Sequence, residues 1–314
     1  EFEKRQKEKK EKRTEIPKDE LEERAVKKYL LGERLTEAEE RAVVNSEDNS
    51  ALLPTGFIKY LEDVKMRYKP LKDLVHVIPV TTLEGKMPVN YGVGKRGLAN
   101  LGLDDEIEED LLNTEEVNYA VKDLGKIIPV RNSTLEDSAI SIKEMIGNEF
   151  VEDAVYTENE DIVTAFRGVA KKVTVKDDEE LVKQINLMSP TAKARGAILV
   201  NPLGFDYLDN LRDKEGRPLL RELSQGGEFV FKGMRVREVD EDILTGTKPI
   251  ILAGDFHKAV KMFDRKGVEI AADSSAGFTR NRTLFRVIKR HDVQQGKLGK
   301  KPEKFAVEIT EIGR

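Results

Sequence analysis

The stretch ILVNPLGFDYLDNLRDKEGRPLL, residues 198–220, decides how this chain is read. Ile198, Leu199 and Val200 form a short apolar run of the kind that lies buried on both faces of a sheet. Asn201-Pro202 then opens a helical pattern, because proline fits the first helical turn, where its missing N–H costs nothing. Lys214-Glu215-Gly216-Arg217-Pro218 is expected to stop that helix and turn the chain. The junction carries no nucleophile, no general base and no phosphate loop, so the question is what kind of protein needs it.

Outward from this stretch the pattern is mixed α+β, with strands contributed by distant parts of the chain. SAISIKEMIGNEFVEDAVYTENEDIVTAF (138–166) predicts one long helix, with Ile142, Met145, Ile146, Phe150, Ala154 and Val155 as its apolar stripe and Ser138 or Thr134 as its cap. VTVKDDEELVKQINLM (173–188) predicts a strand or turn feeding a helix that begins near Asp177. GEFVFKGMRVREVD (227–240) reads as two strands around Gly233. Residues 248–275 predict a strand, a Gly-Asp-Phe turn and two further strands, and 283–312 hold more extended segments with a terminal strand at 304–312. Upstream, 57–82 reads as a short helix and then an extended run. Residues 83–137 form a glycine-punctuated β excursion, within which VNYAVKDLGKIIPV alternates like a strand pair joined by a turn. An excursion of that length is too large for a casual loop and is expected to reach outward.

Composition narrows the class. The 314 residues suffice for two domains or one elaborated domain. With 54 basic against 59 acidic side chains the formal charge is −5, which argues against a dedicated DNA binder but not against a container for nucleic acid. The chain has no cysteine, which removes disulfides, thiolate catalysis and cysteine-ligated zinc. No apolar run approaches the length of a membrane span, and no signal-peptide pattern opens the chain. It begins at Glu1 without Met, which fits a processed product or an added Glu1-Phe2. Residues 1–44 stand apart: KRQKEKKEKR (4–13) holds seven basic residues in ten, and the thin helical stripe that follows suits either a solvated charged arm or a coiled-coil-like assembly helix. NSEDNSALLPTG (45–56) is the linker.

Nothing in the chain reads as an active site. His76, His257 and His291 are far apart in sequence and show no partner pattern, and His76 lies in an alternating apolar run as an ordinary half-buried residue. DDEIEED (104–110) lacks the alternating ligands and loop glycine of a calcium site, so a solvated or partner-facing acidic loop is expected. GVGKRG (92–97) lacks the spacing of a phosphate loop and a helix after it. The basic end of RKGVEIAADSSAGFTRNRT (265–283) has no aromatic platform for single strands. No catalytic, cofactor-binding or metal residue is assigned, and no cofactor is expected.

The order of features then carries the reading. SALLPTGFIKYL, ILVNPLGFDYLDNLRDKEGRPLL, GMRVREVD and ILAGDFHKAVKMFDRKGVEI, in this order over about residues 45–312, resemble the major capsid protein of tailed bacteriophages, whose shell fold is shared with encapsulins. The resemblance implies a charged scaffold-like segment at 1–44 and an N-terminal arm at 45–78. It implies an extended β-loop at 79–132 lying over a neighbour, and a peripheral domain at 133–175 and 256–295 with the long spine helix. The axial domain would comprise 176–255 and 296–314, where residues 198–220 need shape rather than reactivity. It implies a subunit that assembles with copies of itself into pentamers and hexamers around double-stranded DNA without sequence-specific contacts. Portal protein and a scaffold, protease or decoration protein are further expected partners; a membrane is not. The place is the virion, assembled in the host cytoplasm. On the same resemblance residues 1–44 either escape cleavage or are cut further upstream. Some relatives crosslink through a loop lysine, an asparagine and a glutamate. Asn281 falls close to the asparagine position, but Ile288 stands at the glutamate position and no lysine lies between Gly97 and Leu112, so no crosslink is expected. An encapsulin-type compartment around a cargo enzyme is the alternative, disfavoured by 1–44. An unrecognised enzyme lacks a constellation, and a coiled-coil adaptor leaves the β excursion unexplained.

Overall fold

A computed structural model describes residues 68–93, 112–133, 142–224, 227–265, 269–299 and 301–312, with the isolated positions 28 and 36. The expectations for a helix near residue 57, the acidic run 104–110, most of GVGKRG, the cap at Thr134 or Ser138 and nearly all of residues 1–44 lie outside the described residues. In chain order the strands begin with β1 (His76–Pro79), β2 (Glu84–Val93), β3 (Leu112–Ala120), β4 (Lys122–Arg131), β5 (Lys171–Val175), β6 (Ala197–Val200) and β7 (Leu220–Ser224). They continue with β8 (Glu228–Phe231), β9 (Met234–Glu238), β10 (Ile251–Gly254), β11 (Val260–Asp264), β12 (Glu269–Asp273), β13 (Arg282–Gln295) and β14 (Ala306–Ile312). The helices are α1 (Ile142–Val169), α2 (Asp178–Asn186), α3 (Pro190–Arg195), α4 (Pro202–Asn210) and α5 (Phe256–Ala259). Two compact units divide the chain: residues 1–69, 123–155 and 266–290, and residues 70–122, 156–265 and 291–314.

The second unit is built on a seven-stranded sheet of order β5-β14-β10-β6-β9-β8-β7. Its centre explains the apolar run at 197–200, since all four residues of β6 are buried. Successive side chains of a strand point to opposite faces. Leu199, Leu252 and Ala306 accordingly join one cluster with Ile162, Val163 and Phe166 of α1. Ile198, Val200, Ile251, Ala253, Val307 and Ile309 join the other with Leu181 and Ile185 of α2, Ala192 of α3 and Leu208 of α4. Each large side chain so buried contributes about 1.5–3 kcal/mol. A helix as short as α2 cannot persist alone in water, so it forms because its apolar face has a sheet to cover. Its start follows the sequence: the Asp177 side chain accepts from Glu180 N at 2.8 Å as the N-cap.

Asn201 is the hinge pin of the opening stretch. It is fully buried, its Oδ1 accepts from Gly204 N at 2.8 Å and Ile250 N at 2.9 Å, and its Nδ2 donates to the Lys248 carbonyl at 3.0 Å. One side chain therefore caps α4 and ties it to the strand entering the sheet beside β6. The helix ends earlier than the sequence pattern implies. It stops at Asn210, where Leu211 turns to extended geometry and is buried, and Lys214–Pro218 instead makes a separate turn with Gly216 at φ +81°. Burying Leu211 outweighs another helical turn. The β8–β9 hairpin forms as expected, with Lys232 and Gly233 both at positive φ, the geometry a two-residue hairpin turn requires.

The β excursion appears as an antiparallel ribbon of β2 and β3, with Glu84 opposite Ala120. Tyr119 anchors it by stacking on Phe263 at 4.4 Å. The expected strand pair over 117–130 is corrected: β3 pairs with β2, whereas β4 pairs with β13. Only Val121 separates β3 from β4, too short a connection for the chain to fold back on itself. In the first unit β12 runs antiparallel to β13, and Val130, Phe285 and Val287 are buried, as are Phe150, Val151 and Val155 of α1. The helix predicted at 138–166 is observed over Ile142–Val169, with Phe150 and Val155 of its stripe buried and Ala154 half-buried. The Gly-Asp-Phe turn is a single helical turn, α5, capped by Asp255.

Candidate assembly surface

The described residues place the candidate reactive groups in structural roles, with one arrangement that the sequence hid. Parallel pairing of β1 with β11 sets His76 opposite Lys261, and the His76 and His257 rings lie 4.6 Å apart. Lys261 Nζ donates to His76 Nδ1 at 3.1 Å and to the His257 carbonyl at 2.9 Å. The expectation that these histidines lack partners is thus corrected. Burial, then the Lys261 charge, holds both imidazoles below the ordinary histidine value, and burial lowers Lys261 itself. The four-residue spacing of His257 and Lys261 hints at their contact; the meeting with His76 depends on strand register, which the sequence does not display. His291 is buried, with Nε2 3.0 Å from Asp161 Oδ2. Among the described residues no group of three or more His, Asp or Glu could hold a metal ion.

Asn281 caps a short turn (Phe278–Arg280) in the left-handed region. Its Oδ1 accepts from Asn132 Nδ2 at 2.8 Å and its carbonyl from Asn132 N at 3.1 Å, while Thr283 Oγ1 donates to Asn132 Oδ1 at 2.9 Å. The amide works as a local brace. Ile288 is half-buried on β13 opposite Glu269, an apolar group that can neither donate nor accept a proton. A Cβ on Gly277 would lie 1.9 Å from the Arg282 carbonyl, so the turn closes tightly and leaves Phe278 85% exposed.

Exposed apolar side chains make these surfaces suited to contact. In the second unit Leu187, Leu203 and Leu223 are exposed, and in the first Ile127 and Phe278 are. Leu223 sits on β7, which among the described residues is the edge strand of the seven-stranded sheet, and an edge is a template for pairing. The β2–β3 ribbon has no third strand among the described residues, a marginal arrangement unless something covers it. The first unit also carries ion pairs: Lys126 reaches Glu149 at 3.2 Å and Asp153 at 2.5 Å, and Arg290 reaches Asp123 and Glu269 at 2.8 Å each. Asp153 in particular holds the Lys126 ammonium above its ordinary range, and Asp123 does the same for Arg290. Exposed apolar side chains together with charged and polar ones are the materials of a protein–protein interface.

Comparison with known proteins gives this surface its context. The capsid of a native GTA particle superposes with a TM-score of 0.58 at 14% identity, over 85% of this chain and 94% of that one. Microbacterium phage Oxtober96 gives 0.57 at 13% identity, over 88% and 99%. A virus-like particle from Pyrococcus furiosus gives 0.53 at 12% identity, over 81% and 97%. At such identities the likeness is one of fold. No curated protein matches the chain in sequence. The model of the phage capsid family matches residues 52–295. With its shell fold and a family match over most of its length, the chain belongs to the phage capsid family.

Proposed function

We infer that the chain is a major capsid protein, a structural subunit whose copies build an icosahedral head. The family match over residues 52–295 carries this reading. Pentamers and hexamers are the units from which such a shell closes, because repeated identical patches must meet around local axes. The finer assignments extend it: residues 1–44 as a scaffold-like segment, 45–78 as the arm and 79–132 as the loop over a neighbour. The peripheral domain would take 133–175 and 256–295, and the axial domain 176–255 and 296–314. Double-stranded DNA is the content, held without sequence-specific contacts. The portal protein and a scaffold, protease or decoration protein are the other partners, and assembly proceeds in the host cytoplasm. The chain has no catalytic step of its own in this reading, which the bracing roles of Asn281 and Asn201 support.

Negative-stain electron microscopy of the chain expressed alone, then with protease and portal, tests the reading. Shells, tubes or capsomer rings are expected, with nucleic acid inside when packaging partners are present. A protein cargo inside closed shells would move the assignment to a compartment of the encapsulin type. Compact monomers under every condition would overturn it.

A further inference from the structure

The chain entering β1 is held by contacts of two chemical kinds. In the turn Leu71–Leu74, Leu71 N donates to Asn159 Oδ1 at 2.8 Å, and the Leu71 side chain is buried in the core. Lys72 pairs with Asp264, and Arg237 grips Asp73 with two hydrogen bonds of 2.8 and 2.6 Å. Both pairs join a cation to a carboxylate and involve no imidazole. The next contact along the chain is of another kind. His76 receives the Lys261 ammonium on Nδ1, and that nitrogen can accept only while it carries no proton. His76 faces the Lys261 ammonium of β11 and the His257 ring of α5, while Arg195 at the end of α3 adds cationic charge beside His257 and Lys261, and Lys258 on α5 beside Lys261. Among the described residues the acid acting on His257 and Lys261 is Asp255, which is buried and engaged by Arg195 at 2.9 Å.

We propose that β1 is an acid-released strap: protonation of His76 and His257 against Lys261 detaches His76–Pro79 from β11, while the turn at Leu71–Leu74 and the seven-stranded sheet stay in place. A proton on His76 Nδ1 abolishes the hydrogen bond and sets an imidazolium against an ammonium. A second on His257 adds another like charge 4.6 Å from the first ring. Both imidazoles titrate below the ordinary value of 6.5 in the closed strand. The released strand therefore binds protons more readily than the closed one. Closure is complete above about pH 6.5 and is lost as pH falls through and below that value. Release would free the segment that leads directly into the β2–β3 ribbon.

Hydrogen exchange of the full chain, read by mass spectrometry at about pH 7.5 and about pH 5.5 and corrected for intrinsic rates, tests this. The amides of residues 76–80 are expected to lose protection by up to about tenfold per pH unit for each histidine protonated, while those of β6 and β10 and of Leu71–Val75 keep theirs. In His76→Gln/His257→Gln, residues 76–80 should stay protected at both pH values. If that variant lacks native circular dichroism at neutral pH, His257→Gln alone should reduce the step, and Lys261→Met should shrink it by removing the like charge. A step that persists unchanged in these variants, a protection at 76–80 that ignores pH, or a loss spread evenly over the whole second unit would each overturn the proposal.

Discussion

At the scale of single residues, Glu308 is the most exacting position in the fold. Its side chain has no exposure, Arg167 Nε donates to Oε1 at 2.8 Å, and Oε2 has no hydrogen-bond partner among the described residues. Removing one member of a buried pair leaves the other charge uncompensated. Arg167→Met is therefore expected to destabilise the second unit by about 2–3 kcal/mol, just below the range for a fully buried pair because Arg167 is partly solvated. The double variant Arg167→Met/Glu308→Met should recover most of that loss, read as the urea midpoint of unfolding. Equal midpoints for Arg167→Met and the double variant would show that an unpaired Glu308 carboxylate carries no such penalty. Residues like these were the least legible in the sequence. Glu308 sits in a strand that alternates in the ordinary way, and only the fold reveals that its face of β14 is covered. His76 and His257 were hidden for the same reason, since 181 positions separate partners that a strand register brings together.

Elements were far easier to read where the signal is local. The helix starts at Asp177 and Asn201, the hairpin at Lys232-Gly233 and the long α1 all follow from caps, turn residues and a 3.6-residue period within a few positions of one another. Where an element's fate depends on distant surface, the sequence misled. The end of α4 was set by a pocket for Leu211, and the partner of β4 was a strand some 160 positions away rather than its neighbour. The strand-to-helix junction supplies the test at this scale. Asn201→Ala strips the acceptor from two buried N–H groups and the donor from the Lys248 carbonyl. It should lower stability by about 2–4 kcal/mol while leaving far-UV circular dichroism near native. A loss under about 0.5 kcal/mol would mean that solvent or a neighbouring group replaces the amide at no cost.

At the scale of the whole molecule, a shell without a crosslink, as proposed, derives its stability from repeated contact between copies. The resemblance to crosslinking relatives puts Ile288 at their glutamate position, and the Asn281 amide is engaged by Asn132. Particles boiled in detergent should therefore run as monomers; a ladder of covalent multimers would show that another lysine and acid do the joining. The class of fold and the order of its parts were legible because four local patterns had to occur in sequence, each in the right place. The exposed apolar points were not, because Leu223 or Phe278 looks like any other core residue until the chain around it is folded. One feature of the second unit bears on how such a subunit is made. β14, the last strand in the chain order given above, does not lie at an edge of the seven-stranded sheet but between β5 and β10. The other six strands of that sheet are made first, and β5 has no neighbour in it until residues 306–312 emerge. A partly translated chain therefore lacks the completed sheet of the second unit until synthesis has passed that point.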